Sequence, residues 1–303
     1  NNESTGGLAG TCGQREAGGS ERMAGMPAVL FEGGTFRPVF SCGVMDALLD
    51  EDVMFPYCIG VSAGSADAAS YISRQRGRNI EVLEKYRNDK RYMGKRNLLK
   101  ERSMFGVQFA FRDIPNIHVP FDMETFQKYD GQFIAVTTDA QTGHVQYFTQ
   151  KDIDKDFEVF HGTCALPGII PPAVIRGREY FDGGLADPIP IGKVLSDGND
   201  KVLVVLTRPK GYIKACRRSD ILIARSIEKK YPAIARALVN RYKKYNRSVK
   251  LCEELEKQGR AVLLRPETPL KSLEKDVKVL RQSWQAGYDQ AMKHMDEIKA
   301  LFH

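Results

Sequence analysis

Short apolar runs alternate with amphipathic stretches along most of the chain. The runs predict buried β-strands at residues 28–31, 57–59, 202–206 and 261–264. Between the first two runs, apolar residues recur at helical spacing over 39–49, and the runs 134–136 and 145–148 predict a hairpin. Because strands that are separated by helices pair mainly in parallel, the pattern indicates an α/β fold whose sheet is covered by helices on both faces.

One apolar run ends in a pattern that is typical of a catalytic serine. Gly60-Val61-Ser62-Ala63-Gly64 follows residues 57–59 and precedes a stretch of small, helix-compatible residues. Gly-x-Ser-x-Gly is the nucleophile elbow, in which the serine lies on a sharp turn between a strand and a helix. At a helix N-terminus, free N–H groups and the helix dipole favour developing negative charge. The alternative interpretation is a closely packed turn of small residues without chemistry.

A second glycine turn lies one strand earlier. Gly33 and Gly34 follow the run 28–31 and precede the predicted helix over 39–49. Exposed backbone N–H groups in such a strand–turn–helix unit can form an oxyanion hole. Taken by itself, the turn also fits a phosphate-binding loop or an ordinary connection. Since sites in parallel sheets lie at the carboxyl ends of strands, we expect Gly34 and Ser62 to share one pocket.

A candidate base for the serine follows later in the chain. Asp182 comes after Phe181 at the end of a predicted strand, and Gly183 and Gly184 follow it. A serine hydroxyl needs a base within hydrogen-bond reach, and burial raises the pKa of a carboxyl and makes it a stronger base. The alternative is an Asp-Gly hairpin turn. Pairing with the serine elbow favours the base.

In this order along the chain, the segments 32–37, 60–64 and 182–184 resemble the motifs of the patatin-like phospholipase family, particularly its bacterial members. Similar segments lie between them at 121–122, 136–139, 142–143, 165–168 and 171–172. The resemblance covers about residues 27–206. It implies a three-layer α/β/α patatin-like fold with a mainly parallel central sheet. It also implies hydrolysis of carboxylic esters of lipids, phospholipids or their lyso forms. The sequence contains no visible cluster of metal ligands, so we expect neither a metal nor a cofactor.

The resemblance also implies a role for individual residues. Ser62 would be the nucleophile and Asp182 its general base, in a Ser–Asp dyad that forms an acyl-enzyme. The other implied site residues are Gly33, Gly34 and Thr35 of the oxyanion hole with Arg37 supporting it, Gly60 and Gly64 of the elbow, and Gly183 and Gly184 after the base. Two alternatives stay open, namely a non-catalytic lipid-binding regulator on the same fold and a soluble esterase or thioesterase.

Two positions near the oxyanion turn depart from the family pattern. Thr35 stands where a third glycine is usual, and Pro38 stands where a glycine follows the basic residue. A threonine does not readily adopt a positive φ, and a proline has no N–H to donate. If the turn needs either feature, the oxyanion hole is altered, which keeps the non-catalytic alternative open. Cys164 also stands where a serine is common.

A triad with histidine is the main alternative to the dyad. In α/β-hydrolases the order is serine, acid, histidine, and only His294 and His303 follow Asp182. His294 belongs to an amphipathic helix predicted over 285–301, where a surface histidine is the simpler interpretation. The elbow also follows a single strand and helix, whereas the α/β-hydrolase fold places several strands before it.

Composition separates the first residues from the rest of the chain. Residues 1–25 are rich in Gly, Ser, Glu and Asn, which predicts a disordered tail, either native or left from cloning, before one hydrolase domain at 26–303. The six cysteines form no Cys-x-x-Cys pair. This usage is typical of a reducing compartment, so we expect a cytoplasmic location. No apolar run approaches the roughly 20 residues of a membrane span.

Positive charge is concentrated in the region 208–250, which is predicted to be helical with a break near Pro232. The net charge is +7 and the isoelectric point is about 9.0. Basic residues interleaved with apolar ones predict peripheral contact with an anionic membrane, although a solvated helical face fits equally well. We predict no nucleic-acid partner, because no aromatic stacking platform or binding motif accompanies the charge. The oligomeric state stays unknown.

Overall fold

A computed structural model describes residues 25–303 and contains one central sheet. The strands are β1 (Ala28–Phe31), β2 (Tyr57–Val61), β3 (Gln132–Asp139), β4 (Val145–Thr149), β5 (Ala173–Ile175), β6 (Arg178–Asp182), β7 (Val202–Val205) and β8 (Ala261–Leu264). Their order across the sheet is β5-β6-β3-β2-β1-β7-β8, and β4 also pairs with β3. The tail predicted at residues 1–25 lies outside the described residues except for Gly25.

The centre of the sheet is parallel and one edge is antiparallel. β3, β2, β1, β7 and β8 run in the same direction, whereas β4, β6 and β5 pair in antiparallel fashion. Every residue of β1 and β7 is buried, as expected for parallel strands that are covered on both faces. β3 and β4 form the predicted hairpin. The antiparallel β6 brings its last residue alongside β3, which matters for the site.

Helices lie on both faces of the sheet. They are α1 (Val39–Asp50), α2 (Ala63–Ile72), α3 (Arg78–Tyr86), α4 (Lys95–Glu101), α5 (Met123–Gln127), α6 (Glu158–Cys164), α7 (Ile191–Ser196), α8 (Arg218–Ile227), α9 (Pro232–Lys257), α10 (Val277–Lys293) and α11 (Met295–Ala300). A π-helix spans Phe109–His118, and short 3₁₀ turns span Gln150–Asp152 and Gly183–Leu185.

Alternate residues of the central strands point into opposite layers. In β1, Val29 and Phe31 belong to a core with α1, α2, α10 and α11, whereas Ala28 and Leu30 belong to a second core with α7 and α9. This alternation is the period of two that a strand imposes on its side chains. The prediction of a three-layer α/β/α fold with a mainly parallel sheet is confirmed.

The C-terminal helix α10 packs closely on α1 because each helix carries a glycine at the crossing. A Cβ at Gly43 would collide with the carbonyl of Trp284, and one at Gly287 would collide with the carbonyl of Phe40. The indole Nε1 of Trp284 donates a hydrogen bond of 2.9 Å to Asp46. The end of the chain is therefore tied to the first helix after β1.

Two helical predictions differ from the structure. In the region 208–250, residues 208–217 form no helix, α8 begins at Arg218, and α9 begins at Pro232. Proline suits this position because the first turn of a helix does not use its N–H groups. The single helix predicted over 285–301 is instead the end of α10 followed by α11, which meet at His294.

Candidate active site

Ser62 lies on the sharp turn between β2 and α2. Its φ of 56° and ψ of −134° lie outside the regions that residues with a side chain normally occupy. A Cβ at Gly60 would lie 2.6 Å from the Cα of Ser65. One at Gly64 would lie 2.5 Å from the carbonyl oxygen of Glu32. Both glycines therefore permit the close backbone approach of the elbow, and strain of this kind is concentrated at functional sites.

A threonine holds the strained serine in place. The N–H of Ser62 donates a hydrogen bond of 2.9 Å to the hydroxyl of Thr163, at the end of α6. That hydroxyl in turn donates to the carbonyl of Val136 in β3. Because Thr163 is fully buried, both bonds lie in a medium where unpaired polar groups are unfavourable. The elbow is thus anchored to the neighbouring strand.

The register of the sheet brings Asp182 alongside Ser62. β3 lies between β2 and β6. Val61, the residue before Ser62, pairs with Val136 of β3. Asp182 of β6 pairs with Thr137, the next residue of β3. The carboxylate accepts a hydrogen bond of 2.7 Å from the N–H of Gly184, and the nearby Ser62 hydroxyl lowers its pKa. Two motifs that are far apart in the chain therefore meet across one strand.

Burial raises the pKa of Asp182 to about 6. The N–H of Gly184, the hydroxyl of Ser62 and the positive charges of Arg241 and Lys214 oppose this shift. A carboxylate with this pKa is largely ionised at neutral pH, and it is a stronger base than a carboxylate in water.

The turn after β1 presents backbone donors beside the serine. Gly33, Gly34 and Thr35 line the same cavity as Ser62, and a Cβ at Gly33 would lie 2.8 Å from the Cβ of Ser62. Their N–H groups donate to no other protein atom within residues 25–303. Donors held free beside a nucleophile are the arrangement that stabilises an oxyanion.

The turn accommodates both departures from the family pattern. Thr35 adopts a φ of 58°, a left-handed conformation that is strained for a β-branched residue. Pro38 directly precedes α1 with a φ of −62°, which the proline ring favours. The turn therefore forms with a threonine and a proline in place of glycines.

Arg37 fastens this turn to the rest of the site. Its buried guanidinium donates hydrogen bonds to the hydroxyls of Thr207 and Ser272. The hydroxyl of Thr207 donates to the carbonyl of Gly33 at 3.0 Å, and its N–H donates to the carboxylate of Glu32. These hydrogen bonds attach the turn to Thr207, which follows β7.

A cavity of about 440 Å³ contains the serine, the carboxylate and the free N–H groups. Its lining has two chemical parts. The apolar wall consists of Leu83, Tyr92, Phe105, Phe111, Ile114, Phe121, Phe160 and Ile170. The basic wall consists of Arg37, Arg208, Lys214, Arg217 and Arg241, and the cavity is also lined by Arg78 and by the carboxylates of Glu32, Asp67 and Asp182. An apolar cavity with a few polar groups is typical of a small-molecule site, and this one suits a molecule with an apolar part and an anionic part.

Several of these residues were not predicted from the sequence. Thr163 and Thr207 belong to no motif, and their contacts are made across more than 100 positions of the chain. Asp67 on α2 also lines the cavity, where burial raises its pKa to about 7. Asp67 falls in the stretch of small residues that follows the elbow, and no pattern in the sequence marked it or Thr163 as a site residue.

The residues of the alternative triad lie elsewhere. The Nδ1 of His294 is 3.1 Å from the carboxylate of Glu297, and neither His294 nor His303 lines the cavity. Cys164 does line it, as does Ser62. Burial raises the pKa of this thiol well above its usual value, which keeps it neutral. Residues 25–303 contain no group of His, Cys, Asp and Glu side chains that is placed to hold a metal ion.

Two protein-family models match the chain. The one described as Patatin-like phospholipase matches residues 29–195, which include the turn after β1, the serine elbow and Asp182. The one described as Domain of unknown function (DUF6363) matches residues 231–303, which begin just before α9. The resemblance predicted from the three motifs is confirmed.

Individual relatives are distant. The chain is 22% identical over 189 residues to "Uncharacterized protein YjjU" of Escherichia coli, a match that covers 61% of this chain and 53% of that protein. It is 30% identical over 73 residues to "Uncharacterized NTE family protein Rv1063c" of Mycobacterium tuberculosis, which covers 24% of this chain and 19% of that protein. The chain thus spans about half the length, or less, of these relatives. The crystal structure of VipD from Legionella pneumophila aligns with 90% of this chain and 67% of that chain, at 12% identity and a TM-score of 0.43.

Proposed function

Because the chain belongs to the patatin-like phospholipase family, we propose that it hydrolyses carboxylic ester bonds of lipids through Ser62 and Asp182. One observation carries the proposal. A strained serine at an elbow lies beside a buried carboxylate, inside a cavity with an apolar wall. The apolar wall favours a lipid acyl chain over the short acyl group of a general esterase substrate.

In the first half of the reaction, the ester is converted to an acyl-enzyme. The Oγ of Ser62 attacks the acyl carbonyl carbon, and Asp182 accepts the hydroxyl proton. The oxyanion that forms accepts hydrogen bonds from the N–H groups of Gly33, Gly34 and Thr35. Collapse of this intermediate expels the alcohol, which takes the proton from Asp182.

In the second half, water releases the acyl group. Asp182 accepts a proton from a water molecule whose oxygen attacks the acyl carbon, and the same N–H groups stabilise the second oxyanion. When this intermediate collapses, the Oγ of Ser62 leaves and recovers the proton from Asp182. The products are a carboxylic acid and the free enzyme. The pKa of Asp182, about 6, suits both directions of this proton transfer near neutral pH.

Active-site labelling tests this proposal. We expect a long-chain fluorophosphonate to add once to the native chain and not to Ser62→Ala, as measured by intact mass. Ser65→Ala is the matched control, because Ser65 lies one helical turn further on and does not line the cavity. Labelling of Ser62→Ala would mean that a residue other than Ser62 is the reactive nucleophile, whereas an unlabelled but folded native chain would favour the non-catalytic lipid-binding alternative.

We also propose that the protein contacts an anionic membrane through α8 and the loop before it, and not through the whole region 208–250. The apolar face of α9 packs in the core, where Leu238 is 2% exposed. In contrast, Leu222 of α8 is 65% exposed and Ile213 of the preceding loop is 77% exposed, and several arginines lie beside them. Among residues 25–303, no helix has the length and apolar content to cross a bilayer.

Vesicle sedimentation tests the membrane contact. We expect salt-sensitive binding to vesicles that contain anionic lipid, and we expect Leu222→Asp to weaken it because the change removes an apolar contact and adds a repelled charge. Val174→Asp, at an exposed apolar position on β5, is the matched control. Equal binding by both variants would contradict the role of α8.

A further inference from the structure

The basic wall is assembled from three separate parts of the chain. Arg37 belongs to the turn after β1. Arg208, Lys214 and Arg217 lie in the irregular loop between β7 and α8, and Arg241 lies on α9. Apart from Arg37, these residues lie beyond the match to the patatin-like family, and Arg241 lies within the C-terminal match of unknown function. The fold therefore gathers positive charge at the site from outside its hydrolase motifs.

Carboxylates of the protein balance only part of the positive charge of the basic wall, with Glu32 acting on Arg37 and Lys214 and Asp182 lining the same cavity. Within residues 25–303, only Arg241 among these five side chains forms a salt bridge, at 3.0 Å to Asp220. The Nε atoms of Arg208 and Arg241 are buried and have no hydrogen-bond partner among the described residues. The guanidinium groups of Arg208 and Arg241 thus have more donors than the described protein groups accept, and an anion with several oxygens in the cavity can bind their remaining N–H groups.

Lys214 shows how crowded these charges are. Burial, and after it the positive charges of Arg241, Arg37 and Arg208, lower its pKa to about 7. Glu32 opposes the shift but does not offset it. An anion bound between these side chains would favour the charged lysine and relieve the repulsion.

Contacts with α9 hold the loop that carries these residues. The side chain of Asn246 accepts a hydrogen bond of 2.8 Å from the N–H of Lys214 and donates one of 2.9 Å to its carbonyl. Tyr245 packs edge-on against Tyr212 with ring centres 5.9 Å apart, and the guanidinium of Arg208 lies 4.4 Å from the centre of the Tyr212 ring. The loop is thus positioned by backbone and aromatic contacts that do not need the Lys214 side chain.

We propose that the basic wall is a subsite for a phosphate group of the lipid substrate, and that residues 231–303 complete this subsite through α9. The inference rests on the proposed hydrolase function. Clustered guanidinium groups match the oxygens of a phosphate, which can accept several hydrogen bonds at once. The acyl chain lies along the apolar wall, the ester meets Ser62, and the phosphate meets the basic wall. The substrates are therefore phospholipids or lysophospholipids, and neutral acylglycerols are poor substrates.

A matched pair of substrates tests this assignment. Lysophosphatidic acid and monoacylglycerol with the same short acyl chain differ only in the phosphate, and both are used below the concentration at which they form micelles. We expect kcat/KM for the phosphorylated ester to be at least about tenfold higher, the effect of one charge-assisted hydrogen bond. Equal or higher kcat/KM for the neutral ester would overturn the subsite.

Variants of the loop connect this preference to the basic wall. Lys214→Gln and Arg208→Gln should each lower the ratio of the two kcat/KM values about tenfold. Lys210→Gln, in the same loop but outside this cavity, should leave the ratio unchanged. Fluorophosphonate labelling shows that each variant retains a folded site. An unchanged ratio in both labelled variants would overturn the inference alone, whereas a native chain that neither labels nor hydrolyses either ester would overturn the proposed function as well.

Inorganic phosphate distinguishes a lipid head group from free phosphate as the ligand. We expect it to raise KM for lysophosphatidic acid without changing kcat, and to do so more weakly in Lys214→Gln. Inhibition by phosphate in a protein that shows no preference for the phosphorylated ester would mean that the wall binds free phosphate, and the head-group assignment would be wrong.

Discussion

Replacing Asp182 with asparagine should stabilise the folded protein at neutral pH while it removes ester hydrolysis. Burial raises the pKa of this carboxyl from its ordinary value of 3.8 to about 6. A shift of roughly two units corresponds to about 3 kcal/mol by which the folded state disfavours the ionised carboxylate. Asparagine has nearly the same shape and no charge, and its side-chain oxygen can still accept the hydrogen bond from Gly184.

The pH dependence of this stabilisation follows from the sign of the shift. In the unfolded chain Asp182 loses its proton near pH 4, whereas in the folded chain it does so near pH 6. Below the lower value the carboxyl is neutral in both states, so the penalty is absent. Between the two values the unfolded chain ionises first, and the folded state loses stability relative to the variant. Above about pH 6 the penalty is complete.

Urea denaturation of both proteins measures the effect. We expect Asp182→Asn to raise the free energy of unfolding by about 3 kcal/mol at about pH 8, and by about 1 kcal/mol at about pH 4.5. Asp130→Asn is the control, because Asp130 is exposed and its replacement should change neither value appreciably. Equal stabilisation at both pH values, or destabilisation at the higher one, would refute the argument that burial shifts this carboxyl.

Three further predictions concern the site and its support. The kcat/KM for a neutral ester should rise with pH through about 6 and then level off, because Asp182 acts as a base only when it is ionised. A pH–rate profile with no inflection near pH 6 would exclude Asp182 as the base. Thr163→Val should lower the free energy of unfolding by about 1–3 kcal/mol and reduce fluorophosphonate labelling, because the N–H of Ser62 loses its acceptor. Gly287→Ala should destabilise the fold by about 1–3 kcal/mol in urea denaturation without changing the pH–rate profile, because its Cβ would collide with Phe40 in α1, away from the site.

The elements that carry the hydrolase motifs could be predicted because their signals are local. The run 28–31 and the glycines after it predict a strand and a turn, and the residues around Ser62 predict an elbow, all within a few positions. The position of Asp182 beside Ser62 is different. It depends on β6 joining β3 in antiparallel register, which no local pattern specifies, and it was predicted from the chemical need of the serine for a base and from the order of motifs in a known family.

Thr35 shows how tertiary contacts override a local preference. Its residue type disfavours the left-handed conformation, and this argued against an intact oxyanion turn. The structure holds that conformation because Arg37 and Thr207 bind the turn from the β7 side, through bonds that span about 170 positions of the chain. A preference of one residue is small compared with several buried hydrogen bonds, so the turn forms.

The basic region could not be assigned from its pattern for a related reason. An amphipathic helix that faces a core and one that faces a membrane have the same apolar period, so the sequence of α9 does not say which it is. The packing of Leu238 and Tyr245 in the core decides the matter for α9, and it turns Arg241 toward the cavity. The loop at 208–217 has no period at all, and its bonds to Asn246 together with the packing of Tyr212 on Tyr245 position Lys214. Charge that looked like a surface property in the sequence is therefore part of the site, and its effect on Asp182 depends on an arrangement that the fold alone provides.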